Sequence, residues 1–419
     1  MTVAAGDQPG VLRALFDAAV NAANPLRAVA ANLPPAPKGR TVVIGAGKGA
    51  IPMAEAVEAN WNGPLEGFVV APHGYASSLK RIATAYASHP VPGEASRAAA
   101  DRALALATTL GKDDLLIALI SGGGSSLMSK PAPGIAMAEK LGLVRALLKC
   151  GANIAELNCV RKHVSGVKGG RLAHAAGLAR IHTLVISDVP GDDPAIVASG
   201  PTVADLTHKA DALEILRRYR LDIPSSVQAW LAAPDVQRGP LRADNETRVI
   251  VSPQESFRAA AAKAKTLGLN VLFLGDRIEG EARDVAKVHA GIAQQIKQYS
   301  EPMARPCVIL SGGETSVTVR GSGRGGRNVE FALSLALTLA GENHIHALAA
   351  DTDGVDGMEQ IAGAIVTPDT LERARAMGLD ATAALENNDA HSFFEALGDQ
   401  VITGPTQTNV NDFRAILID

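Results

Sequence analysis

What the sequence lacks narrows its class before any motif is considered. It has only three cysteines, Cys150, Cys159 and Cys307, and no CxxC pair among them. So sparse and odd a set argues against a disulfide framework and fits a reducing compartment. Aromatic residues make up 3% of the chain, and no aromatic-rich basic strand is present to stack single-stranded bases. Forty basic residues face 43 acidic ones, and the net charge of −3 argues against a nucleic-acid partner while leaving room for a local basic patch. No apolar run approaches the roughly 18–20 residues of a membrane helix. The first ten residues lack the charged and apolar regions of a signal peptide. The expectation is a cytoplasmic protein with neither membrane nor nucleic acid as partner, and a homodimer is compatible with it.

What is present describes an α/β protein. Apolar residues are 47% of 419, enough for two or three domains with cores of Ala, Leu, Val and Ile. Residues 11–33 read as a helix broken at Asn24-Pro25. Strands are expected over 41–44, 67–71, 83–87, 115–120 and 181–186, with helices between them. That alternation implies mostly parallel pairing and covered sheet faces. The proline-punctuated stretch 234–245 reads as a linker, dividing a first domain over 1–235 from a second over 246–419. After it the pattern restarts, with strands over 247–252, 269–274, 306–310 and 345–350.

Three strand patterns run into glycine. Val42-Val43-Ile44 leads to Gly45-Ala46-Gly47-Lys48-Gly49-Ala50, and Leu115–Ile120 to Ser121-Gly122-Gly123-Gly124-Ser125-Ser126. Val308-Ile309-Leu310 leads to Ser311-Gly312-Gly313-Glu314 and on to Arg320, Arg324 and Arg327. Glycine lets backbone N–H groups approach a ligand, and arginine adds planar, permanently charged donors. A strand, a glycine loop and a helix N-terminus form an anion-binding arrangement. Three such stretches point to a polyanionic ligand.

The first stretch fits the dinucleotide fingerprint, so an NAD(P)-dependent dehydrogenase is a rival. That fingerprint needs an acid at the end of the next strand, where the sequence has Ala71-Pro72-His73. Neither serine-glycine loop matches the Walker A spacing. Asp351-x-Asp353-Gly354-x-Asp356 fails the calcium-loop pattern beyond its fourth position. Acids that end strands, with phosphates nearby, serve Mg²⁺ or a substrate hydroxyl. Asp188 and Asp351 lead that set, with Asp192 and Asp193 beside the first. His89, His163 and His391 lack metal-ligand spacing.

Side by side, these segments resemble the glycerate 2-kinase family, the class II glycerate kinases with a C-terminal MOFRL domain. The matching stretches run from Val43 to Asp412. They include His89-Pro90-Val91-Pro92, the Ser121 loop, 186–202, Ser311-Gly312-Gly313-Glu314, Gly323–Asn328, 350–357 and 406–412. The family pattern favours glycine where Gln407 sits. The resemblance implies an ATP- and Mg²⁺-dependent kinase that phosphorylates the 2-hydroxyl of D-glycerate. It also implies two α/β domains, a Rossmann-like N-terminal α/β/α domain and a MOFRL domain, with the active site in the cleft between them. Family members have also been labelled hydroxypyruvate reductases. Lys48 and Arg327 match the basic pair expected to be catalytic, with Asp188 and Asp351 beside them.

The residues agree with that chemistry, because phosphoryl transfer is chiefly positioning and charge neutralisation. N–H groups at 122–124 and 312–313 would hold phosphates or a carboxylate. Asp188, Asp193 and Asp351 would hold Mg²⁺ or orient the hydroxyl. Gly45, Gly47, Ser121, Ser125, Ser126, Glu314, Arg324, Asn328 and Asn409 complete the expected nucleotide- and substrate-binding set. Truncating Lys48 or Arg327 should lower turnover about 100-fold and leave the fold nearly unaffected. A non-catalytic binder of a small phosphorylated acid would use the same loops without metal carboxylates.

Overall fold

A computed structural model describes residues 7–189, 191–235 and 241–419. Pro190 and part of the expected linker lie outside them. The chain forms two α/β units, 25–250 and 251–419, and the second also takes in the N-terminal helix. No helix among the described residues is long and apolar enough to cross a membrane.

The first sheet contains β1 (Thr41–Ala46), β2 (Glu66–Pro72), β3 (Ala83–Ala87), β4 (Leu115–Ile120), β5 (Arg180–Ile186) and β6 (Glu246–Val251). Their order is β3-β2-β1-β4-β5-β6, and β1 through β5 pair in parallel. This is the doubly wound order, in which ligands gather where the chain reverses direction across the sheet. Here that point lies between β1 and β4. Both strands are buried at every position, as central parallel strands covered on two faces must be. Strand β6 was expected to open the second domain, but it closes this sheet. Its exposed first half, Glu246-Thr247-Arg248, suits an edge position.

The second sheet contains β7 (Asn270–Phe273), β8 (Ile278–Glu281), β9 (Cys307–Ser316), β10 (Ile345–Asp351), β11 (Gly363–Val366), β12 (Gln400–Val401) and β13 (Asp412–Ile418). The order is β12-β11-β10-β13-β9-β7, with β8 also on β9. Parallel pairing is confined here to β7 and β8, each parallel to β9, while the other described pairs are antiparallel. The last strand of the chain, β13, inserts antiparallel to both β9 and β10. All seven residues of β13 are buried.

The helix Gln8–Ala22 packs on this second sheet, although the sequence grouped it with the N-terminal domain. Leu12, Leu15, Phe16 and Ala19 are fully buried among residues that include Phe257 and Phe413. The Phe16 and Phe413 rings meet edge-on at 5.6 Å. That apolar stripe outweighs closeness in sequence. Burying one such side chain is worth about 1.5–3 kcal/mol.

Candidate active site

In the first unit, the loops after β1 and β4 are tied together at the reversal point. The Lys48 amide donates to the Gly122 carbonyl at 2.8 Å, and the Gly49 amide to Ser121 Oγ at 2.9 Å. Gly47 has φ +138°, and a β-carbon there would lie 2.1 Å from Ser121 Oγ. Only glycine permits that approach. At Gly122 a β-carbon would lie 2.0 Å from Asp188 Oδ2, so the carboxylate that follows β5 rests on the glycine loop. At Gly123 it would meet the His89 ring at 3.0 Å and Lys48 Cγ at 3.6 Å. The structure thus gathers Lys48, Gly122, Gly123 and Asp188, four residues singled out from the sequence, and adds His89. Ser121 is spent on joining the loops. The Gly124 amide bonds the Ser121 carbonyl and Ser126 Oγ bonds the Gly123 carbonyl, so both close the turn.

Gly45 is a strand residue, not part of the turn. A β-carbon there would clash with Val69 at 2.7 Å, which makes this glycine a packing requirement between strands. Asp193 is exposed, and its Oδ1 accepts the Ala195 amide in a local turn. Asp192 has φ +55° and a buried Oδ1 with no hydrogen-bond partner among the described residues.

In the second unit, sheet register builds the site. Asp351 ends β10 directly opposite Asp412, the first residue of β13, and Asp412 in turn lies opposite Gly313. Two carboxylates side by side repel unless a cation joins them. Arg327, first residue of the helix Arg327–Leu339, supplies it. Nε donates to Asp412 Oδ1 at 2.6 Å, Nη2 to Asp351 Oδ2 at 2.6 Å and Nη1 to Glu314 Oε1 at 3.0 Å. Asp412 also receives Thr315 and Asn328 Nδ2, and it pairs with the fully buried Arg414. Asp356 accepts the Asn328 and Val329 amides and caps the helix start.

Burial works against the Arg327 charge, but Asp412, Asp351 and Glu314 outweigh it and hold the guanidinium firmly protonated. Burial pushes the Asp351 carboxyl well up, Asp353 adds to that, and Arg327 opposes it. Burial likewise raises Asp356 to about 6.

Two expectations fail here. Ser311-Gly312-Gly313-Glu314 is not a turn, because β9 runs straight through it. The Gly312 amide is taken by the Gly275 carbonyl, and a β-carbon at Gly313 would lie 2.2 Å from the Ile278 carbonyl. These glycines let strands and Phe257 approach, and the Gly312 amide is not offered to a ligand. Arg324 is no part of the carboxylate network. It is bidentate to Glu359 and reaches Glu395 at 2.9 Å, on the surface. Asn328 is buried within the network, whereas Asn409 accepts the Asn411 amide in a local turn. Asp412 went unnominated. A lone carboxylate heading an apolar run, Phe413–Ile418, was its available signal.

Among the described residues, no group of three or more His, Cys, Asp or Glu side chains is disposed to hold a metal ion. Mg²⁺ that arrives with a nucleotide needs only one or two carboxylates, because phosphate oxygens and waters fill the remaining positions. Asp188 and Asp351 fit that limited demand, whereas Asp193 does not.

Comparison with known proteins bears on both units. A model described as a domain of unknown function (DUF4147) matches residues 11–232, and the MOFRL family model matches residues 307–412. An Agrobacterium vitis protein, named provisionally as a hydroxypyruvate reductase, is 51% identical over 97% of this chain and 94% of its own. A D-glycerate 2-kinase of Thermotoga maritima is 38% identical over 95% of each chain. The crystal structure of a Thermotoga maritima glycerate kinase matches with a TM-score of 0.88 at 36% identity, over 98% of this chain and 99% of that one.

Proposed function

The chain belongs to the glycerate kinase family, with a DUF4147 domain followed by a MOFRL domain, and from that premise we propose that it is a glycerate 2-kinase. It would transfer the γ-phosphoryl group of ATP to the 2-hydroxyl of D-glycerate. The observation that carries this reading is Lys48, held on a turn at the reversal point of the first sheet beside the Ser121 loop and Asp188.

The roles follow from the charge that phosphoryl transfer must handle. Lys48 would stabilise charge on the transferring group as a point cation. Asp188, resting on Gly122, would orient a hydroxyl or serve the metal. In the second unit, Asp351 is the carboxylate best placed for the same work, and its raised pKa suits a group that accepts a proton. Arg327 fixes the position of Asp351 and keeps the adjacent Asp412 neutralised. Mg²⁺ held by Asp188 or Asp351 would neutralise phosphate charge.

The rival is an NAD(P)-dependent hydroxypyruvate reductase, favoured by the strand order and by the Agrobacterium vitis relative's name. It is weakened at β2, which ends in Pro72-His73 with no acid for a ribose. One assay separates them. Purified protein is given D-glycerate, ATP and Mg²⁺, and the phosphoglycerate isomer is identified, beside a hydroxypyruvate-plus-NAD(P)H control. Mg²⁺-dependent 2-phosphoglycerate is expected. Reduced-cofactor oxidation without ADP release would overturn the kinase reading, and 3-phosphoglycerate would overturn its regiochemistry.

A further inference from the structure

Next to the serine-glycine loop lies a group of cations that, among the described residues, has no acid as a bonded partner. Lys168 Nζ donates to the Ser125 carbonyl at 2.6 Å and also to Ser125 Oγ. One turn on, Lys140 Nζ donates to Ser129 Oγ at 2.9 Å and to the Lys130 carbonyl at 3.4 Å. That carbonyl also takes Ser165 Oγ, which in turn accepts the Lys168 amide, so both lysines belong to one network. Lys140 is 4% and Lys168 3% exposed. Arg161 sits one helical turn from Asn158, whose Oδ1 takes Ser199 Oγ, itself 3.1 Å from Ser125 Oγ.

Among the described residues, Arg161 has no hydrogen bond or ion pair, and neither lysine pairs with a carboxylate. Asp205 faces the neighbouring Lys162 and His163 at 3.5 Å. Buried charges are ordinarily paired. A lysine can escape by losing its proton, and burial, then Arg161, lowers Lys140 to about 7. Burial, then Lys140 and Arg161, lowers Lys168 as well. Arginine cannot escape in that way.

We infer that Lys140, Arg161 and Lys168, with the Ser125 and Ser129 hydroxyls, form a binding site for a phosphate group. Three potential positive charges suit a dianion better than a single carboxylate. The choice of phosphate over carboxylate rests on the phosphoryl-transfer reading above. Bound phosphate restores the missing counter-charge and draws protons back onto the lysines.

The test is calorimetric titration of the full chain with inorganic phosphate, ATP and D-glycerate, each in two buffers of different ionisation enthalpy. Arg161→Gln and Lys140→Met are compared with wild type, with circular dichroism as the check on folding. Each variant should weaken phosphate or ATP binding at least about tenfold, the cost of one hydrogen bond to a charged group. Each should also reduce the proton uptake seen on binding, with D-glycerate affinity within about twofold of wild type. Loss confined to ATP assigns a nucleotide phosphate, and loss confined to inorganic phosphate assigns a free one. Phosphate and ATP affinities unchanged in both variants would overturn the site. Weakened D-glycerate binding with phosphate unaffected would overturn the choice of phosphate in favour of a carboxylate. If Lys140→Met fails to fold, Arg161→Gln decides alone, because its half-buried side chain has no partner to strand. Phosphate binding through these residues without glycerate phosphorylation would sink the kinase reading and leave this site standing.

Discussion

The same three residues, Ser-Gly-Gly, follow an apolar run in each unit, at 121–123 and at 311–313, and they do opposite things. In the first unit the strand stops at Ile120 and the glycines turn under Lys48 and Asp188. In the second the strand continues to Ser316, and the glycines let β8, β13 and Phe257 close in. The cations differ as well. Lys48 sits on a turn held by its own amide on the Gly122 carbonyl and the Gly49 amide on Ser121 Oγ, while the Arg327 guanidinium is bonded to three carboxylates. A glycine motif therefore marks a close approach without saying whether a ligand or another strand makes it.

Arg327→Ala tests this contrast most severely. Removing the guanidinium leaves Asp351 and Asp412 side by side and short of a partner. The loss of stability should be about 3–5 kcal/mol by chemical denaturation, as for a broken buried ion pair. This revises the expectation that truncation would spare the fold. A loss under 1 kcal/mol would mean that the carboxylates do not depend on Arg327. Lys48→Ala should do the reverse. The amides that hold its turn keep their bonds to Gly122 and Ser121, so the fold should persist while turnover falls roughly 100-fold or more. Near-wild-type kcat in that variant would remove Lys48 from the mechanism.

Much of the first unit was legible because its strands are short, mostly apolar runs bounded by turn residues. β3, β4 and the helix Ile154–His163 lie where the pattern put them. The second sheet was less legible for a topological reason. β13 is the last strand in sequence and a central one in space, and no local pattern says that Asp412–Ile418 will insert between β9 and β10. Missing it meant missing Asp412, and with it the reason Arg327 points where it does. Lys140, Arg161 and Lys168 were illegible for a related reason. They are ordinary in sequence and unusual only in their burial.

The second unit also holds a histidine that separates packing from function. His289 is buried, donates or accepts at Ser311 Oγ at 2.9 Å and meets the Phe331 ring edge-on. Burial holds it down at about 4. It is neutral when folded and gains a proton on unfolding below about pH 6.5, so its contribution is complete above that pH and lost as pH falls towards 4. Asp356, raised to about 6, acts the other way over the same range, so wild type alone does not isolate the effect. Between pH 7.5 and 4.5, wild type should lose about 2–3 kcal/mol more stability than His289→Gln. Equal losses in the two proteins would place His289 outside the acid response.

The smallest effect concerns Gln407, where the resemblance to the family implies a glycine. Gln407 adopts φ +60°, the left-handed region that favours glycine. An L-residue there costs about 1–2 kcal/mol, while glycine gives back roughly 0.5–1 kcal/mol through the greater freedom of the unfolded chain. Gln407→Gly should therefore stabilise the protein by about 0.5–1 kcal/mol, read as a rise in denaturation midpoint with unchanged m-value. The loop it belongs to touches the acidic network, since Thr406 Oγ1 bonds the Thr352 carbonyl and Thr352 Oγ1 bonds the Asn411 carbonyl. If the variant is more stable but turns over more slowly, the strain serves Asp351 and Asp412, and the second unit stores in its backbone what the first builds into its glycines. If it is less stable, Gln407 makes contacts worth more than the strain, and the departure from glycine is a repair within this chain.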